Sequence, residues 1–215
     1  MTTLTAFGAA REVTGSRHLL EVADGNGGPG ARILVDCGVF QGRREESRRK
    51  TAEFPFDAAA VDASVNTHGH LDHCGAYPLL VRRGFRGPVW ATPATRDVAR
   101  LVLEDSARVQ AADARHVGKR QAADPRAGRV VSPPLYDADD VAEAVARFRC
   151  VEYHRPFDLG PGLVATLFDA GHILGSSMVR FDLARGDGQE PVRVAFTGDL
   201  GRRDMPIIRD PESPG

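Results

Sequence analysis

Lysine is nearly absent from this chain of 215 residues: Lys50 and Lys119 stand alone among 28 basic side chains, and arginine supplies the rest. A surplus of positive charge is also missing. The 28 basic residues meet 29 acidic ones for a formal charge of −1, which excludes a globally basic nucleic-acid binder but not a local basic groove. The arginine skew is most simply compositional, although the guanidinium fork suits bidentate phosphate contacts. Cysteine is scarce as well. Cys37, Cys74 and Cys150 cannot all pair and form no CxxC, which predicts a reducing compartment rather than a disulfide scaffold. No apolar run approaches the ~18 residues of a membrane span, and Met1–Leu4 carries neither a basic n-region nor an apolar h-region. The expectation is a cytoplasmic protein without a membrane segment. Against these absences, 42% hydrophobic and 27% charged residues match globular averages, so one domain over 1–215 with a sizeable core is expected.

Along the chain, Leu4–Phe7, His18–Val22 and Arg32–Asp36 read as strands, with Gly25-Asn26-Gly27-Gly28-Pro29-Gly30 as a hairpin or loop. A helix is expected over Gln41–Ala52, its run Arg43–Lys50 a solvated face or, alternatively, an RNA-facing one. Ala63–Thr67 predicts a strand, Cys74–Arg83 a helix closed by Gly84, and Val89–Ala91 a short strand. Thr95 is expected to cap a long helix whose apolar stripe is Val98, Leu101, Val102 and Val109. Asp113–Pro134 loosens into a surface excursion, and Asp139–Phe148 predicts another helix. Strands are expected at Val151–Tyr153, Leu163–Phe168, Met178–Leu183 and Val192–Thr197. Strands interleaved with helices and hairpin-like neighbours indicate a mixed α/β, or α+β, sheet architecture.

The strongest local signal is Thr67-His68-Gly69-His70-Leu71-Asp72-His73, directly after a predicted strand. Imidazole nitrogens and carboxylate oxygens suit Zn²⁺ and related divalent ions. In extended backbone His68 and His70 point the same way, and the chain then turns into a helix from which Asp72 and His73 project toward a second point. Such a segment has donors for two metals. Asp169-Ala170-Gly171-His172-Ile173-Leu174-Gly175-Ser176 sets a histidine just after an apolar strand, and Phe196-Thr197-Gly198-Asp199-Leu200-Gly201 does the same for an aspartate. Alone, either is an ordinary strand-end turn. Beside the HxHxDH segment they become ligand candidates, because a binuclear site needs more donors than one loop supplies. His18, His116 and His154 read as surface or structural histidines.

These elements, in this order, resemble the metallo-β-lactamase superfamily. Gly8-Ala9-Ala10-Arg11-Glu12-Val13-Thr14-Gly15-Ser16, Leu34-Val35-Asp36-Cys37-Gly38, Leu103-Glu104-Asp105-Ser106, Pro134-Leu135-Tyr136 and Ala170–Ser176 narrow the resemblance to its β-CASP branch of RNA-processing nucleases. It spans Phe7 to about Pro214 and implies an αββα sandwich, incomplete at the C-terminus. It implies that His68, His70 and His172 hold one zinc, that Asp72 and His73 hold a second, and that Asp199 bridges both. Asp36 would orient a ligand histidine without touching metal. Asp72 and Asp199 would be the catalytic carboxylates, and RNA phosphodiesters would be hydrolysed by a metal-bound hydroxide. Manganese suits the same donors.

The family continues beyond the Asp199 element into an acidic motif, a cap domain and two further histidine motifs, none of which falls within these 215 residues. The expectation is therefore either the N-terminal part of a longer enzyme or a reduced domain, with weak or no activity alone. In that case an exposed sheet would be covered by a partner chain or a second copy. Arg11, Arg202 and Arg203 are the candidate RNA contacts. The rival readings are a hydrolase of thioester- or lactone-type small substrates and a metal-containing RNA-binding or subunit-contact module without turnover.

Overall fold

The computed structural model describes residues 2–23, 30–123, 132–185 and 189–215. Among the described residues, ten strands form two sheets. In the first, β1 (Thr3–Gly8), β2 (Arg17–Glu21) and β3 (Arg32–Val35) pair antiparallel, and β3, β4 (Ala63–Val65), β5 (Val89–Ala91) and β6 (Phe148–Cys150) pair parallel. The second is wholly antiparallel, in the order β10 (Val192–Phe196), β9 (Ser177–Leu183), β8 (Leu163–Asp169), β7 (Phe157–Gly160).

Period-two side-chain alternation separates the two faces of the first sheet. Leu20, Ile33, Val35, Ala63 and Val65 face Leu163, Ala165, Leu167, Val179 and Phe181 of the second sheet. Leu19, Leu34, Val89 and Ala91 face the other way, into a cluster with Tyr77, Leu80, Val81, Phe85 and Ala99. That outer cluster is closed by α2 (Leu71–Cys74), α3 (Tyr77–Arg82), α4 (Pro93–Ala123) and α5 (Ala138–Val145), while α1 (Arg44–Ala52) links β3 to β4. The layers are thus helix, sheet and sheet. The outer face of the second sheet carries the ionic ladder Arg180–Asp182–Arg193, with both pairs at 3.1 Å, as befits a wet surface. The expected second helical layer is not formed by any of these helices. On the opposite margin Leu4 is 53% exposed and β10 pairs with β9 alone among the described residues.

Several boundaries differ from expectation. α4 begins at Pro93, and Thr92 Oγ1 accepts the Thr95 N–H at 3.1 Å, so Thr92 rather than Thr95 closes its first turn. Its buried stripe is Thr95, Ala99, Leu103 and Ala107, while Leu101 and Val109 are exposed. Small residues let the helix lie close to the sheet, so Ala99 outranks the larger apolar side chains. The helix runs through most of the expected excursion, to Ala123; residues 124–131 lie outside the described residues, as does Gly25–Pro29 of the glycine-rich cluster. The helix expected to reach Phe148 stops at Val145, because Phe148 pairs with Val89 as the edge strand β6. The strand expected at Val151–Tyr153 is absent, and β7 follows instead at Phe157.

This topology brings the ends of several strands to one margin. β3, β4 and β5 are parallel, so Asp36, Asn66, Thr67 and Thr92 leave the sheet on the same side, the usual location of sites in such sheets. β8 and β10 deliver the 170–176 and 197–201 turns there too. The sheets are tied at this point, with Ser177 N–H donating to the Thr67 carbonyl at 2.8 Å.

Candidate metal centre

Asp36 is the buried pivot of the margin, 1% exposed and at φ 60. Its Oδ1 accepts the Thr67 N–H at 2.8 Å and Asn66 Nδ2 at 3.2 Å. Its Oδ2 accepts Ser16 Oγ at 3.1 Å, Thr67 Oγ1 at 3.0 Å and His73 Nδ1 at 2.7 Å. Burial opposes ionisation of Asp36, but His73, His68 and these donors outweigh it and hold the carboxyl below its usual range. For His73 burial likewise disfavours the imidazolium, yet the Asp36 charge and hydrogen bond, then Asp199 and Asp72, push its pKa up to about 9. Helix α2 is seated by Ser16 N–H donating to Asp72 O and Cys37 N–H to His73 O, both at 2.8 Å. Gly38 allows this approach, since a Cβ there would lie 1.6 Å from the Asp72 carbonyl oxygen.

His68 is fully buried. The single Thr67 hydroxyl proton goes to Asp36, so the 3.1 Å contact between Thr67 Oγ1 and His68 Nδ1 is a bond in which Nδ1–H donates. His68 Nε2 is then the unprotonated nitrogen, aimed outward. Burial, then the neighbouring His73, lowers the His68 pKa to about 3, keeping the ring neutral. His172 also has a lowered pKa, by burial first.

Three ring nitrogens converge. His68 Nε2 lies 3.1 Å from His70 Nδ1, which lies 3.3 Å from His172 Nε2. A tetrahedral Zn²⁺ with Zn–N bonds of about 2.0–2.1 Å separates its ligand nitrogens by roughly 3.3–3.4 Å, so these edges fit a first-row ion. Asp199 Oδ2 sits 3.8 Å from His68 Nε2 and 3.6 Å from His172 Nε2, and donor atoms of all four residues lie within 4.8 Å of one another. The other oxygen, Asp199 Oδ1, faces His73 Nε2 at 3.2 Å, and Asp72 Oδ2 is 4.0 Å from that nitrogen. One carboxylate thus divides its oxygens between the three-histidine group and the His73–Asp72 pair. A cleft of about 400 Å³ opens beside them, walled by Val13, Ser16, His18, Phe196 and Asp199.

All six proposed ligands and Asp36 meet at one place. Arg11, in the 8–16 turn, and Arg202 and Arg203, after Asp199, are exposed; Arg202 Nε contacts Met205 Sδ at 3.1 Å. Sequence reasoning missed Ser16, Asn66 and Thr67, which carry no ligand chemistry of their own, and left His18 unassigned although it walls the cleft. The apolar–polar switch at Val65-Asn66-Thr67 was the one available signal.

A family model for the metallo-beta-lactamase superfamily domain matches residues 28–185, and the chain belongs to that superfamily. Among curated relatives it is 40% identical to "Ribonuclease TTHA0252" of Thermus thermophilus over 98% of this chain and 41% of that protein. It is 34% identical to "Transcription termination factor FttA" of Methanosarcina mazei over 91% of this chain and 27% of the relative. The chain therefore spans about two fifths or less of these relatives. A metallo-β-lactamase HARLDQ motif mutant from Cronobacter sakazakii superposes with a TM-score of 0.51 at 19% identity, covering 95% of this chain and 63% of the other, which shows the shared fold. No described helix is long and apolar enough to cross a membrane.

Proposed function

We propose that this chain is the metal-bearing domain, of the β-CASP type, of a hydrolase that cleaves RNA phosphodiester bonds with zinc. The observation that carries the reading is the convergence of three imidazole nitrogens, 3.1 and 3.3 Å apart, beside a carboxylate whose second oxygen faces His73. RNA as the substrate is supported by the 40% identical relative that is named a ribonuclease and by the Val13–Ser16 and Ala170–Ser176 motifs.

His68, His70 and His172 would hold one ion, Asp72 and His73 a second, with Asp199 shared. When bound, such ions lower the pKa of water and offset negative charge on a phosphate. The chain's own residues prepare the site. Thr67 fixes the tautomer that leaves His68 Nε2 free. Asp36 anchors His73 Nδ1, so Nε2 is the nitrogen turned to Asp199. The cleft admits a backbone segment beside His73 and Asp199, and Arg11, Arg202 and Arg203 would meet its phosphates.

The test is turnover of a labelled single-stranded RNA by the zinc-loaded protein, with Asp199→Asn as control and a lactam and a thioester alongside. Cleavage of RNA that disappears in Asp199→Asn supports the reading; turnover of the lactam or the thioester without RNA cleavage replaces it. A second reading is a metal-containing RNA-binding module. It is favoured by the His73 side of the centre, which among the described residues has only Asp72, His73 and the shared Asp199. Stoichiometric metal and RNA binding without turnover would select it.

A further inference from the structure

We propose that Glu212 is a positioning residue for His172, locking the end of β8 so that this imidazole meets His68 and His70. The inference rests on the metal-centre reading above. β7 pairs with β8 no further than Ala165, so backbone groups on that edge nearer the site need other partners. His154 N–H takes the Leu167 carbonyl at 2.9 Å. At Asp169, the last residue of β8, Glu212 serves both groups. Its Oε2 accepts the Asp169 N–H at 3.0 Å, and its own N–H donates to the Asp169 carbonyl at 3.0 Å. A residue 43 positions away in sequence thus replaces a ladder partner.

From this anchor the turn is built by short links. Asp169 Oδ1 accepts the Gly171 N–H at 2.9 Å, and Ser176 Oγ accepts the N–H groups of His172 and Ile173 at 3.0 and 3.2 Å. Gly171, at φ +63, lies against the same C-terminal segment: a Cβ there would be 2.7 Å from both the Arg209 carbonyl oxygen and Pro211 N. Gly201 N–H donates to the Ala170 carbonyl at 2.9 Å, so the Asp199 turn leans on the same support. The Glu212 carboxylate is held in turn, its Oε1 3.2 Å from His154 Nε2.

His172 needs this support more than His68 does. The His68 side chain is 1% exposed and fixed by packing, whereas that of His172 is 25% exposed. Its place depends on the turn beneath it, and that turn depends on Asp169.

The measurements are zinc affinity by chelator competition and the visible absorption bands of the cobalt-substituted protein. Glu212→Ala is expected to weaken zinc about tenfold or more, as loss of groups that orient ligands does, and to alter the cobalt bands. Glu212→Gln, which still accepts the Asp169 N–H, is expected to recover most of both. Wild-type affinity and cobalt bands in Glu212→Ala, even with a lowered melting temperature, would overturn the proposal, as would no recovery in Glu212→Gln. If Glu212→Ala does not fold, Glu212→Asp, one methylene short, carries the same expectation, and wild-type affinity there overturns it. His172→Ala separates the two levels of inference. If it loses about one zinc while Glu212→Ala binds normally, only the Glu212 role fails; if it keeps full zinc, the metal-centre reading fails.

Discussion

His73 and His172 reach the same carboxylate, Asp199, from opposite surroundings. His73 is buried on α2, and its far nitrogen is tied to a buried charge, Asp36, at 2.7 Å. His172 stands on a turn at the rim, held through backbone hydrogen bonds and partly open to solvent. The first is a strongly oriented ring in a sparse donor set; the second is a lightly held ring in a complete one. The candidate metal centre thus divides rigidity and donor number between its two sides. Charge-assisted hydrogen bonds supply the one, and chain convergence from two sheets supplies the other.

Asp199 joins the halves, so removing it breaks the comparison altogether. Asp199→Asn is expected to weaken metal at both positions, read by metal analysis, and to remove whatever weak RNA turnover this chain supports alone, read by steady-state assay. His70→Ala is expected to lose about one equivalent of zinc, because three protein ligands define its site. Full zinc content in His70→Ala would dismiss the three-histidine assignment. His73→Ala, by contrast, should leave that equivalent bound.

Stability sharpens the contrast. Asp36→Ala leaves His73 and four other donors without their acceptor in a dry environment, a loss of about 3–5 kcal/mol in denaturant unfolding of the metal-free protein. Ser176→Ala strands two backbone N–H groups at the rim and is expected to cost about 1–2 kcal/mol. Equal losses would remove the distinction between a charged pivot and a neutral turn.

The two buried histidines of the HxHxDH segment also titrate in opposite senses. With its folded pKa raised to about 9, His73 contributes stability that is fully present below the ordinary 6.5 and lost as pH climbs through about 9. With its folded pKa lowered to about 3, His68 favours the fold above 6.5, and stability is lost as pH falls from 6.5 toward 3. The chelated protein is expected to be most stable near pH 6.5, measured by melting temperature across pH 4–9. A profile still rising between pH 7 and 9 would contradict the His73–Asp36 pair. The smallest effects belong to the rim. RNA affinity should fall steeply with salt, and Arg11→Ala, Arg202→Ala or Arg203→Ala should each reduce the salt slope by about 1. An unchanged slope in all three would remove the arginine groove.

The histidine segment was legible because its chemistry is local. His68 and His70 alternate onto one side of an extended chain, and Asp72 and His73 follow on one helical turn, so spacing alone groups them. The role of Asp36 came only from the family resemblance, whereas His172 and Asp199 were found at strand ends, where β8 and β10 stop being apolar. Most strands were found for the same reason, since Leu19-Leu20 and Ile33-Leu34-Val35 announce a sheet buried on both faces. The α4 stripe differs from the one expected because hydrophobic size does not decide burial: close approach to the sheet selects Ala99, and packing against Leu79, Tyr136 and Val141 selects Leu103 and Ala107.

The sequence by itself determined which donors exist, their order, and that imidazole and carboxylate would serve a divalent ion. Only the tertiary structure decided how they are held. Ser16, Asp36, Asn66 and Thr67 form one hydrogen-bonded pivot because β2 begins at the margin where β3 and β4 end, and Glu212 meets Asp169 because β7 leaves that edge of β8 unpaired. Spacing along the chain encodes contacts within a turn of helix or a few residues of strand. Contacts across 20 to 43 positions are set by which strands pair and where each one ends.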